Sequence, residues 1–135
     1  MAYEGVQTAI PGATAAGNLS TKQYYCVVKN TTDRQYAVAT ADGEVIDGIL
    51  QNKPNAANVP ANIAMAGVSR VVADETLTAG NLWGTSADGQ AKIIESSNTG
   101  ADVGDFVMGR VIEGAASGAL ATVTIGAPQY KVESA

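Results

Sequence analysis

The acidic side chains are the first candidates for chemistry in this sequence. Asp42, Asp47 and Asp88 each stand directly before a glycine, and Asp102 and Asp105 flank Val103-Gly104. Two carboxylates at a suitable separation can hydrolyse a glycosidic bond, one as acid and one as base or nucleophile. Alternating carboxylates closed by a bidentate glutamate can bind calcium. The calcium spacing does not occur here, and nothing in the sequence prefers one acidic pair over another. Aspartate before glycine is also ordinary turn chemistry, because tight turns need positive φ and a short side chain that bonds its own backbone. The turn reading is the one adopted.

The remaining reactive groups narrow the field. The chain has no histidine and one cysteine, Cys26. A hydrolase that relies on an imidazole base is therefore excluded, and a zinc site lacks its usual ligands. Neither a G-x-x-x-x-G-K-[ST] loop nor a G-x-G-x-x-G fingerprint is present, and "GAASG" at 114–118 is a turn before a strand. Cys26 lies in "YYCVV", between aromatic and β-branched neighbours, and reads as a small buried hydrophobe. A lone cysteine forms no internal disulfide, which fits synthesis in a reducing cytoplasm. No catalytic, cofactor-binding or metal-binding residue is assigned, and the chain is not expected to be an enzyme. Trp83, the one tryptophan, is either core or an anchor in an oligomer or capsid contact, since tryptophan is enriched in binding hot spots.

The elements that would position these residues are short strands. "YYCVV" (24–28), "QYAVAT" (35–40), "VIDGIL" (45–50) and "IAMAGVSRVVA" (63–73, bulged at Gly67) are rich in β-branched and aromatic residues. "LWGTS" and "AKII" follow, joined by an "ADGQ" turn, then "FVMGRVIEG" (106–114) and "ALATVTI" (119–125). In the last run Ala121, Val123 and Ile125 face one way and Leu120, Thr122 and Thr124 the other. No helical stripe appears. The pattern predicts an all-β fold, a small β-barrel or β-tulip-like domain over residues 21–128. Residues 1–20 are Ala-, Gly- and Thr-rich without a sustained period and read as an extended, flexible N-terminal arm. Its apolar side chains Tyr3, Val6 and Ile10, with Pro11, are the candidate anchors by which an arm adds a strand to a neighbour. Residues 129–135 form a C-terminal tail.

Composition points away from several classes. Of the hydrophobic 46% of the 135 residues, 24 are alanine, while Val, Ile, Leu and Phe together number 28. Small side chains bury little apolar area each, so a partner or further copies would add stability. Net charge is −5, and the eight Lys and Arg are scattered singly, so no basic stripe for nucleic acid exists. No apolar run reaches membrane-spanning length and no secretory signal opens the chain.

The order of features over 72–94, a strand, a "TAG" turn, a strand, a "DG" turn and a strand, resembles the capsid decoration (head cement) proteins of tailed bacteriophages. "DGEVIDGILQNKP" (42–54) and "GDFVMGRVIEGAASGALATVTI" (104–125) are similar in kind. The resemblance spans roughly 36–125 and implies a β-barrel or β-tulip body that binds the outer surface of the mature head. It further implies a homotrimer that clamps neighbouring major capsid subunits against internal pressure, with the arm reaching onto the shell. The protein would be made in the bacterial host cytoplasm and end on the virion, without contact to nucleic acid or membrane. A tail-tube or baseplate β-domain is the alternative within a virion. A carbohydrate-binding module displayed on the virion, stacking sugar on Trp83 and the tyrosines, is another.

Overall fold

The computed structural model describes residues 2–95 and 105–130. Among these residues there are twelve strands and no helix. They are β1 (Gln7–Ala9), β2 (Thr14–Ala15), β3 (Cys26–Lys29), β4 (Gln35–Val38), β5 (Gly48–Leu50), β6 (Ile63–Val72), β7 (Leu82–Thr85), β8 (Ala91–Ile94), β9 (Phe106–Val107), β10 (Gly109–Glu113), β11 (Leu120–Ile125) and β12 (Gln129–Tyr130). The all-β expectation holds.

Nine strands pair in the order β2-β4-β3-β5-β6-β11-β10-β7-β8, with β1 laid on β6, and β9 pairs β12 separately. The path stays open instead of closing into a barrel. Its far ends nevertheless meet over one core: Cys26 and Ile49 from one half pack with Trp83 and Ala91 from the other, around Val71, Val111 and Val123. A single parallel bridge, Ala73 to Ala91, brings β8 back beside the end of β6. Glu75 then accepts the Ile93 N–H at 3.1 Å. A carboxylate on an edge N–H discourages further strand pairing there.

The β7–β8 hairpin forms as the turn chemistry requires. Leu82 faces Ile94 and Thr85 faces Ala91, with Gly89 at φ 76° closing the turn. The Asp42-Gly43 turn behaves differently. It suggests a hairpin between β4 and β5, yet β3 lies between those strands and pairs with both. Gly43 instead donates its N–H to the Thr85 carbonyl at 2.8 Å and accepts that of Phe106 at 2.9 Å. The turn is thus bound to the opposite half of the sheet. The run 106–114 is split at Met108, which is buried and leaves the ladder while its N–H bonds Trp83 O at 2.9 Å.

The N-terminal stretch read as a flexible arm is laid against the body in two parts. Residues 13–19 belong to a second core. Ala13, Ala15 and Leu19 are buried with Val27, Leu50, Ala61 and Ile63, and Ile10, Tyr36 and Val38 pack against them. Alanine is the residue that fits here, because β2 pairs in parallel with β4 while Ala15 N reaches Val59 O at 2.9 Å. Residues 5–10 run antiparallel along β6, with Gln7 opposite Gly67 and Ala9 opposite Ala64, and Tyr3 reaches across to β11. The tail read from 129 opens with β12, where Tyr130 packs on Phe106 at a ring separation of 5.1 Å. Residues 131–135, and Asp102 with its neighbours, lie outside the described residues.

Candidate functional site

Among the described residues, the carboxylates singled out by the sequence do not converge on an open reactive centre. Asp47 takes the Lys29 backbone N–H at 2.6 Å, and Asp88 lies in the turn held by Ser86 Oγ. Asp42 and Asp105 do come together, but around a cation. Lys92 Nζ lies 2.6 Å from Asp105 Oδ2 and 2.7 Å from Asp42 Oδ2. Lys92 and Asp105 are nearly enclosed, with side chains 11% and 14% exposed, whereas Asp42 is 59% exposed. Burial alone would lower the lysine's pKa, but the two carboxylates outweigh it and raise the value. Lys92 therefore stays an ammonium ion, and it occupies the space where a metal or substrate would meet the acids. Among the described residues no group of three or more acidic or cysteine side chains is placed to hold a metal. Asp74 has its pKa raised, first by burial and then by Asp88, Glu75 and Asp42. It makes the surroundings of this triad an acidic face.

Cys26 is fully buried, and burial pushes its thiol up to about 12, against a smaller opposing effect of its hydrogen bond with Thr85. A neutral buried thiol is a poor nucleophile. Trp83 is likewise fully buried, and its Nε1 donates to the Thr124 carbonyl at 2.8 Å. The oligomer or capsid contact offered for Trp83 is therefore corrected. The ring fills the core between the two halves of the sheet and presents nothing to a sugar or a protein.

The arm is the element whose geometry remains specialised. Tyr3 is 47% exposed and Val6 91%, while Ile10 turns inward to the second core. Pro11 and Gly12 form an exposed turn. Four features seat the arm. Tyr3 N–H donates to Thr122 Oγ1 at 2.8 Å, which satisfies a fully buried threonine on the Leu120-Thr122-Thr124 face of β11. Gly5 N donates to Val68 O at 3.2 Å and Val68 N to Val6 O at 3.3 Å. Glu4 Oε1 stands 3.1 Å from Arg70 Nε, an ion pair without hydrogen-bond alignment, and 3.2 Å from the Tyr24 hydroxyl that donates to it. Arg70 lies over the Tyr24 ring, and Tyr24 itself is held at φ 67°. Burial, then Glu4, raise the Tyr24 pKa, so its hydroxyl remains a donor. Gly67, at φ 115°, completes the seat: a Cβ there would fall on the Val6 carbonyl oxygen.

Of these residues the sequence singles out Tyr3, Val6, Ile10, Pro11 and the bulge at Gly67. Glu4, Tyr24, Arg70 and Thr122 carry no local signal of a shared role, because they meet only through the stacking of arm, β6 and β11. A shallow apolar groove of about 340 Å³ lies near this region, bordered by Val45, Met65, Ala127 and Pro128.

No protein-family model matches the sequence, and no curated protein matches it. Among solved structures, the fold is similar to the head fiber gp8.5 N base in bacteriophage phi29. The TM-score is 0.66 at 21% identity, covering 89% of this chain and 92% of that one. The likeness extends over nearly the whole domain and establishes a shared all-β fold.

Proposed function

We propose that this protein is a structural component of a tailed-bacteriophage virion, carried on the outside of the head. One observation carries the reading: the fold matches that of a phage head fiber base over nearly the full length of both chains. The finer role follows from the sequence resemblance to head cement proteins. The protein binds the mature head as a homotrimer, bridges neighbouring major capsid subunits, and performs no reaction. It assembles in the host cytoplasm and engages neither nucleic acid nor membrane. The chemistry on its surface is consistent with this role. The enclosed Asp105 is paired with Lys92, and the large apolar side chains left exposed for contact include Tyr3 and Val6 on the arm, with Val45 and Met65 beside the groove.

The test is to incubate the purified protein with unexpanded and expanded heads and count the copies bound by cryo-EM. Several hundred copies at symmetry-related positions on expanded heads alone are expected, together with loss of DNA from heads lacking the protein. Equal binding to both shells refutes cementing, and a handful of copies at one vertex points to a tail or baseplate domain.

A further inference from the structure

We infer that residues 2–10 are an exchangeable strand, which docks on β6 of a second copy of this chain, with Gly12 as the hinge. This goes beyond the virion reading and does not depend on it.

The seat on β6 is built for this arm. Gly67 leaves room for the Val6 carbonyl, and Gly5 faces Val68 Cβ so closely that a side chain at Gly5 would stand 3.1 Å from it. Glu4 meets Arg70 and Tyr24, and Tyr3 N–H satisfies the buried Thr122 hydroxyl. The register shifts between Thr8 and Ala9, which fixes the alignment. A foreign strand would have to reproduce all of these features. A second copy supplies them identically, and this selects the partner.

The hinge is equally defined. From Ala13 onward the chain is locked, because Ala13, Ala15 and Leu19 are buried and Thr14 and Ala15 pair with β4. Between that lock and the arm lies only the Pro11-Gly12 turn, with Gly12 at φ 69°. A Cβ at Gly12 would meet nothing within 4 Å, so glycine is needed there for backbone freedom alone. Glycine adopts positive and negative φ about equally readily, so changing this one residue extends the turn and swings the arm outward. Closed and exchanged forms then make the same arm contacts and differ by hinge conformation and association, the condition under which strands swap. Short bent hinges favour this outcome.

The test uses the full chain with two single variants, Thr8→Cys and Ala66→Cys, which occupy facing positions of arm and β6. The native Cys26 is fully buried and does not compete. The variants are unfolded together, refolded at high concentration and oxidised. A reducible band at twice the chain mass, absent when Lys53→Cys replaces Ala66→Cys, is expected. Gly12→Ala strains the closed turn and should raise the linked-to-unlinked ratio by roughly five- to thirty-fold. The Thr8→Cys/Ala66→Cys double variant supplies the converse readout. If it links only within one chain while the mixture stays unlinked, the arm is private to each copy and the inference fails. If neither links, the arm does not occupy β6 and the inference also fails. An unchanged ratio in Gly12→Ala overturns the hinge assignment.

Discussion

Replacing Gly67 by alanine isolates the arm seat in one atom. At φ 115° a side chain is strained, at about 1–3 kcal/mol. The new methyl would also lie only 2.0 Å from the Val6 carbonyl oxygen, and that backbone atom cannot move while Gly5 and Val6 stay paired with Val68. The arm must therefore lift. The pairs lost are Gly5 N to Val68 O and Val68 N to Val6 O, together with the Tyr3 bond to Thr122. Each contributes about 0.5–1.5 kcal/mol net. Strain and lost bonds together predict a destabilisation of about 3–7 kcal/mol and a fall in Tm of at least about 10 °C. Hydrogen exchange localises the effect: amides 5–8 and Val68 lose protection, while those of β7, β10 and β11 keep theirs. A chain lacking residues 2–9 provides the control, because Gly67→Ala should then cost only its backbone strain. Full protection of amides 5–8 in the variant, or an equal cost with and without the arm, would refute the assignment of Gly67 as the arm's seat.

Other consequences are open to direct measurement. Lys92→Met leaves Asp105 enclosed without its counter-ion and should cost about 3–5 kcal/mol in denaturant unfolding, whereas Asp42→Asn, at an exposed carboxylate, should cost under about 1 kcal/mol. Because the Lys92 pKa is raised on folding, its contribution is complete below the unfolded lysine value and is lost only as strongly alkaline pH passes the folded one; a loss at neutral pH would contradict the triad. Asp74 has a raised pKa, so its charge disfavours the fold at neutral pH. Asp74→Asn should stabilise by no more than about 0.5 kcal/mol at pH 7, and acid titration through the raised pKa should erase that gain, as followed by thermal melts. Trp83→Phe removes the donor to Thr124 O and opens a void, with an expected loss of about 2–4 kcal/mol; wild-type fluorescence should be blue-shifted and resist aqueous quenchers. The Cys26 thiol should ignore disulfide reagents at pH 8 in the native protein and react fully in denaturant.

Local chemistry in the sequence determined the all-β class, the long strand through 63–72, the 91–94 strand and the Asp88-Gly89 hairpin, because β-branched runs and Asp-Gly turns act over a few residues. It also placed Cys26 inside, since a thiol among tyrosines and valines has no better environment. The order of the strands was decided only in three dimensions: Asp42-Gly43 reads as a tight hairpin, but its bonds to Lys92 and Thr85 draw it across the sheet, and β3 enters between β4 and β5. Residues 13–19 look like linker because alanine carries little hydrophobic signal, and only the close approach of β4 and the 59–61 segment makes those small side chains core. The arm's seat was equally out of reach, since Glu4, Tyr24, Arg70 and Thr122 are distant in the chain and acquire a common role only when β6 and β11 pair and the arm crosses them.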